Sequence, residues 1–367
     1  MTSAQRVRAA LRHQSPDRTP IFEYVMHSAV AERFLGRPFA DDDSVFIEVL
    51  RQEGYERAIR RRAADLLDLA EFFGFDMLYL HPLPTAPPAP ADAGDSAGRP
   101  ATPGEPPGDD PVENVVARIR RAKDKPPSPR DAWRAQFVAV QEETRRRGLD
   151  LPLLVPAYGH GVWTDTDLMQ TMLLAPEVAG ELFALRTKGI LGLVEEYRAM
   201  GIDQIGVGGD FAGNRPIISA DAYRRFIVPE VRRVTDRIHQ LGAYAVNASD
   251  GDLWYVIDDF LLGCGVDGYI EIDGQAGMDL RRLKERFGRR ITFYGNFDCM
   301  RVLCFATPEE VRTHAREVIE AGLGEGPMSG GHILCANNAI TAAVSPANYL
   351  ALQQAYREFF GLPPLRV

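Results

Sequence analysis

The residues best equipped for chemistry are histidines and carboxylates that follow short apolar runs. His27, His81 and His160 stand within a few residues of such runs, as do Glu23, Asp210, Asp250, Glu271, Asp273 and Asp298. Gathered in one pocket, groups of these types do general acid–base work or bind a divalent metal. Carboxylates brought close together repel one another, which raises some of their pKa values and prepares a proton donor. The stretch GGHILCANNAI, residues 330–340, adds neutral groups to this set. Its apolar run stops abruptly in Cys335, Asn337 and Asn338.

These side chains need elements to carry them. From residue 131 the sequence alternates between helical and strand patterns. DAWRAQFVAVQEETRRRG has apolar residues three and four apart, as an amphipathic helix requires. The runs LPLLVPAYG, DQIGVGG, AYAVNA, DGYIEI, RITFYGN and GGHILCA read as buried strands, with helices between them. One of these helices closes on Gly201, another opens on Ser219 and ends at Gly242, and DLWYVIDDFLLGCG is a third. TPIFEY (19–24) and DMLYL (76–80) supply two earlier strands, which makes eight. Apolar strands alternating with helices imply a parallel sheet covered on its faces.

The expected fold is therefore α/β, a TIM (β/α)8 barrel formed by a single domain, 1–367. It carries an N-terminal helical extension and a long Pro/Gly-rich insertion after the second strand. That insertion, 82–111, is expected to be flexible and to sit on the surface, because its prolines forbid a helix or a paired strand. A doubly wound sheet is the alternative. No G-x-G-x-x-G opens a helix after a strand, and GVGGDFAG runs on into NRPIIS rather than into a helix.

Composition narrows the partners. The 367 residues are 45% hydrophobic and 25% charged, with a net charge of −9. No basic segment offsets that charge, which argues against nucleic acid and anionic membrane. No apolar run reaches the roughly 18 residues a membrane span needs. The N-terminus has no apolar core of a secretory signal. Four cysteines without a C-x-x-C fit reduced thiols and a cytoplasmic location.

In a barrel of this kind the reactive groups come from the C-terminal ends of the strands. Those ends carry Glu23, Tyr24 and His27; His81; Tyr158, His160, Trp163 and Asp165; Asp210, Asn214 and Arg215; Asn247, Ser249 and Asp250; Glu271 and Asp273; Asn296 and Asp298; and Cys335, Asn337 and Asn338. Asp210, His160, His81, Glu23 and Asp298 are the expected catalytic groups. Tyr24, His27, Tyr158, Trp163, Arg215, Asn247, Asp250, Glu271, Asn296, Cys335, Asn337 and Asn338 are expected to line a small-molecule substrate. Asp250, Asp252 and Asp273 are also well placed to cap following helices.

With these motifs in order, the chain resembles the uroporphyrinogen decarboxylase superfamily, which includes cobalamin-dependent methyltransferases. RVRAALRHQSPDRTPI resembles the family's opening helix and first strand, and GGDFAGNRPIISADAYRRFIVPEVRRV its strand-four signature. ASDGDL resembles its H-S-D-G segment, ITFYGNFD its Gly-x-x-Asp stretch, and GGHILCANNAITAAVSPANYLAL its closing strand and last helix. The resemblance implies a TIM barrel, a homodimer and either decarboxylation or methyl transfer.

Two departures alter what it implies. The zinc-dependent methyltransferases use an H-x-C pair and a later cysteine, and the matching positions here are Ala248, Asp250 and Asn338. A thiol-activating zinc site is not expected, and no metal or cofactor is assigned; a different metal set would draw on His81, His160, Asp210 and Asp250. The porphyrinogen decarboxylases carry arginines after strand one, where this chain has IFEYVMHSAVAERF. Glu23 would repel the carboxylates those arginines grip, so the substrate need not be a porphyrinogen. The expected activity is a decarboxylase-like lyase reaction by acid–base chemistry. A corrinoid-linked methyltransferase, working with a separate corrinoid protein, is the first alternative. A non-catalytic ligand-binding barrel is the second.

Overall fold

The computed structural model describes residues 1–86, 108–124, 130–324 and 330–365. Most of the expected insertion, residues 87–107, lies outside the described residues. The strands are β1 (Leu78–Tyr79), β2 (Leu153–Pro156), β3 (Gln204–Gly208), β4 (Tyr244–Ala248), β5 (Gly268–Ile270), β6 (Thr292–Tyr294) and β7 (His332–Ile333). They form one seven-stranded sheet in sequence order, and every pairing is parallel. Helices intervene between the strands and cover the outer face, so the sheet curls in the manner of a TIM barrel.

The segment expected as the first strand, 19–24, is not a strand but a bridge. Phe22 N donates to Leu334 O (3.1 Å), Leu334 N to Pro20 O (2.8 Å), and Asp76 N to Ile21 O (2.7 Å). These bonds join the segment to the end of β7 on one side and to the start of β1 on the other. It pairs no further because Pro20 has no N–H to give, and because the Glu23 carboxylate takes the N–H groups of Tyr24 (3.1 Å) and Ala336 (3.2 Å). A side chain thus replaces the ladder where the bridge reaches the mouth.

Side chains alternate across each strand, so every second residue points inward. The inner cluster holds Met77, Tyr79, Leu154, Val246, Ala248, Ile270, Tyr294, Ile333 and Cys335. The helix Ser3–Leu11 closes the bottom of this interior with Val7, Ala10 and Leu11. Thr2 and Gln5 form a capping box at its start. Beside it, the fully buried Asp76 accepts from Arg6 (2.6 Å), Arg18 (2.6 Å) and Ile21 N (3.0 Å).

Two helices differ from expectation. The one opened by Ser219, which accepts from Ala222 N, widens to a π-turn over Tyr223–Ile227 before Val228–Gln240. Pro229 explains this, since its ring crowds the carbonyl four residues back and its missing N–H cannot close an α-turn. The expected helix from Asp252 begins only after three turn residues, 254–256, and ends in a π-turn over Asp259–Gly263. No described helix is long and apolar enough to cross a membrane.

Candidate active site

Three carboxylates meet at the C-terminal ends of adjacent strands. Asp210 follows β3, Asp250 follows β4 and Glu271 follows β5; each offers an oxygen, and these oxygens lie within 4.8 Å of one another. Alternation along β4 puts Asp250 on the same inward face as Ala248. Glu271 sits at φ 70°, in the left-handed region that a side chain rarely adopts. Such a backbone is held against its preference by its surroundings, at a cost of about 1–3 kcal/mol. The result is a glutamate aimed across the mouth.

The loop after β2 fixes Asp210. Val162 N (2.8 Å) and Trp163 N (2.9 Å) both donate to the Asp210 carbonyl. The Asp210 carboxylate accepts from Asp250 N (3.2 Å), and Asp250 accepts from the Asn338 amide (2.7 Å). Asp210 and Asp250 of the cluster line a cavity of about 380 Å³, which Trp163, Gly213, Gly251, Asp273, Met300 and Asn337 also help to line. Gly251 sits at φ 93°, and a Cβ there would lie 2.5 Å from Gly213 O. Gly251→Ala is therefore expected to push the Asp250 and Asp210 loops apart and to destabilise the protein by about 1–3 kcal/mol. A denaturant melt measures this, and retained stability would show that the loops yield.

Burial sets the electrostatics, and mutual repulsion adds to it. Withdrawal from water pushes the Asp250 carboxyl up to about 7, with the Asp210 and Asp273 charges adding to the rise. Glu271 is raised well above the ordinary carboxylate range, by burial first and then by Asp210 and Asp250. Asp210 is raised by burial, opposed by the Asp250 N–H. At neutral pH this cluster holds protons that isolated carboxylates would have released. Its spacing would also admit a hard divalent cation, which takes oxygen ligands. A thiolate zinc site does not fit. Ala248 is buried without a donor, and the Asn338 amide is spent on Asp250.

Beside the carboxylates stand three phenols. The Tyr24 hydroxyl lies 3.4 Å from those of both Tyr79 and Tyr158, and it also reaches Glu271. Tyr79 was not among the residues expected here, although it shares the inward face of its strand with Met77 and His81. Gln275, Met300, Gly213 and Gly251 also line the site without any signal in their residue types.

The other sequence-derived residues are placed as follows. His160 is fully buried and its Nε2 lies 2.9 Å from the Thr187 hydroxyl, on the helix behind β2. Burial pushes its pKa down to about 4, so it is neutral. His81 lies 3.5 Å from Asp43 and beside the Tyr79 ring, and His27 is an exposed residue at the start of the helix Ser28–Leu35. Among the described residues neither His81 nor His160 joins the carboxylate group, so a metal set drawn from His81, His160, Asp210 and Asp250 is not assembled. Arg215 and Arg301 are exposed.

Asp298 accepts from Met300 N, Arg301 N and the Gln275 amide. The Asn296 amide donates to Ile272 O, and that of the buried Asn247 to Phe260 O. Asn337 accepts from Cys299 N. Cys335 is in the inner core, where burial raises its thiol well above the usual range. Asp273 caps the short helix Gly274–Ala276, and Asp252 accepts from Trp254 N, whereas the Asp250 carboxylate is turned to Asn338.

Glu23 is the anchor of the bridge rather than a member of the cluster. Besides its two backbone bonds it accepts from the Tyr349 hydroxyl (3.0 Å), and burial raises it to about 7. Glu23→Gln keeps the size and one acceptor oxygen, so it is expected to cost about 1–2 kcal/mol of stability. Turnover at saturating substrate should stay within a few-fold; a loss near that of an Asp250 variant would give Glu23 a chemical role.

Fold and site together define a class: a TIM-like α/β protein with a crowded carboxylate site at the C-terminal ends of its strands. The profile of the family Uroporphyrinogen decarboxylase (URO-D) matches residues 155–359, more than half the chain, and the chain belongs to that family. Among solved structures it is similar to a methyltransferase from Methanosarcina mazei, with a TM-score of 0.68 and 17% sequence identity over 98% of this chain and 99% of that one. At that identity the likeness is one of fold. No curated protein matches the chain.

Proposed function

We propose that the chain is a uroporphyrinogen decarboxylase-like enzyme that protonates a small molecule from the Asp210–Asp250–Glu271 cluster in a decarboxylation or related lyase step. The observation behind it is the crowding of three carboxylates within 4.8 Å, with no cationic side chain among the described residues that line the cavity. Such a cluster stores a proton at neutral pH and can deliver it to a molecule held in the cavity. When carbon dioxide leaves, the carbon keeps the bonding electron pair and takes a proton in its place. Asp250, raised to about 7, is the group poised to give that proton. Its neighbour Asp210, when ionised, balances positive charge that develops in the substrate.

The test is turnover of candidate carboxylic acids in D2O. One deuterium at the carbon that lost its carboxylate, with release of carbon dioxide, supports the reading. Deuterium delivery that persists unchanged in Asp250→Asn would remove Asp250 from it.

The likeness to a methyltransferase over nearly the whole chain favours a second reading. There a methyl group leaves for a separate corrinoid protein, and Asp250 protonates the oxygen or nitrogen left behind. Formation of methylcobalamin from a methylated donor and reduced cobalamin, without carbon dioxide, would select this reading over the first.

A further inference from the structure

The cavity's charge points to its ligand. Asp210, Asp250 and Asp273 all line it, and none of its described lining residues is Lys, Arg or His. One oxygen of each carboxylate is engaged: Asp210 by Asp250 N, Asp250 by Asn338, and Asp273 by the N–H groups of Gln275 and Ala276. The other oxygen of each has no hydrogen-bond partner among the described residues. Three acceptors are thus left open around one small space. On its rim stands Trp163, 49% exposed, with its ring packed on Gly213, where a Cβ would lie 3.0 Å from the ring. An open indole face attracts cations. Met300, also on the rim, adds a soft apolar surface.

We infer that the substrate of this pocket carries a nitrogen cation, an ammonium or protonated ring nitrogen, at the end that meets Trp163 and the aspartates. Open carboxylate oxygens with no cationic side chain among the described lining residues match a cationic donor. A polycarboxylate would meet like charges and no cationic partner among the described lining residues, and repulsion of that kind disfavours a ligand. The cavity is at the small end of the range of about 300–1,000 Å³ for ligand pockets, which suits a compact molecule. A bare metal ion would use the carboxylates but leave the indole and thioether faces without a role. This inference rests on the cavity being the substrate site, as the proposed function holds.

The probes are choline, its uncharged isostere 3,3-dimethylbutan-1-ol, and the anion 3,3-dimethylbutanoate, each titrated calorimetrically into the full chain after chelator treatment. Choline is expected to bind at least about tenfold more tightly than the alcohol, since cation–aromatic and charge-assisted contacts each contribute at this scale. The anion should not bind. On the partly exposed rim, Asp273→Asn should weaken choline about three- to tenfold and leave the alcohol unchanged, and Trp163→Ala should weaken choline about three- to tenfold more than it weakens the alcohol. Equal binding of choline and the alcohol would overturn the inference, as would tighter binding of the anion, or saturation by Mn²⁺ without choline binding. The proton-transfer reading fails separately. Cation selectivity together with full turnover by Asp250→Asn would sink that reading and keep this one.

Discussion

Asp250→Asn should lower turnover by about 10²–10⁴-fold, the usual contribution of a positioned general acid. The substitution is close to isosteric. The new amide can still accept from Asn338, so the loop geometry should persist, and only the transferable proton is removed. The same substitution should change stability in the opposite sense. An aspartate titrates near 4 in an unfolded chain and about 7 in this cluster. Between these values the folded protein keeps a proton that the unfolded chain has released. Stability from this group is therefore whole below about pH 4 and is lost as the pH rises through 7. Asn removes that loss, so the variant should melt higher than the parent at pH 8 and no higher at pH 4. Lower turnover with greater stability at high pH is a pairing that simple damage to the fold cannot produce. Full turnover would refute the assignment of Asp250.

Asp76→Ala should cost about 3–5 kcal/mol, the penalty for removing one partner from a buried ion pair. Asp76 has no exposed surface and balances both Arg6 and Arg18, which are themselves nearly buried. It also accepts from Ile21 N, so it fixes the start of the bridge that ends in Glu23 and Tyr24. Its removal leaves two guanidinium groups short of an anion and frees the segment that carries Tyr24 to Glu271. Urea unfolding measures the loss. A change below about 1 kcal/mol would mean that Asp17, which also pairs with Arg6, takes over the charge.

The sequence showed the scaffold more clearly than the site. Apolar runs such as DQIGVGG and AYAVNA are buried on both faces, and their residue types state this without any partner in view. The bridge at 19–24 was harder to read. TPIFEY has strand-like residues, and its pairing is cut short by Pro20, which has no N–H, and by Glu23, which bonds to Tyr24 and Ala336. The same limit applies to the chemistry. Asp210, Asp250 and Glu271 could each be placed at the end of a strand, but their convergence depends on sheet curvature and on the left-handed backbone of Glu271. His160 shows the reverse. It follows a strand like a rim residue, yet two backbone N–H bonds to Gly208 from Gly159 and His160 turn it outward to Thr187. Tyr79 lies inside its strand rather than beyond it, so reading only strand ends passes over it.

The most direct measurement is a pH titration of the aspartate side-chain carboxyl carbons by ¹³C NMR in the labelled full chain, which needs no knowledge of the substrate. One aspartate is expected to titrate at about 7 and to vanish from the spectrum of Asp250→Asn. If every aspartate titrated near the ordinary value of about 4, Asp250 would hold no proton at neutral pH, and it could not be the acid proposed.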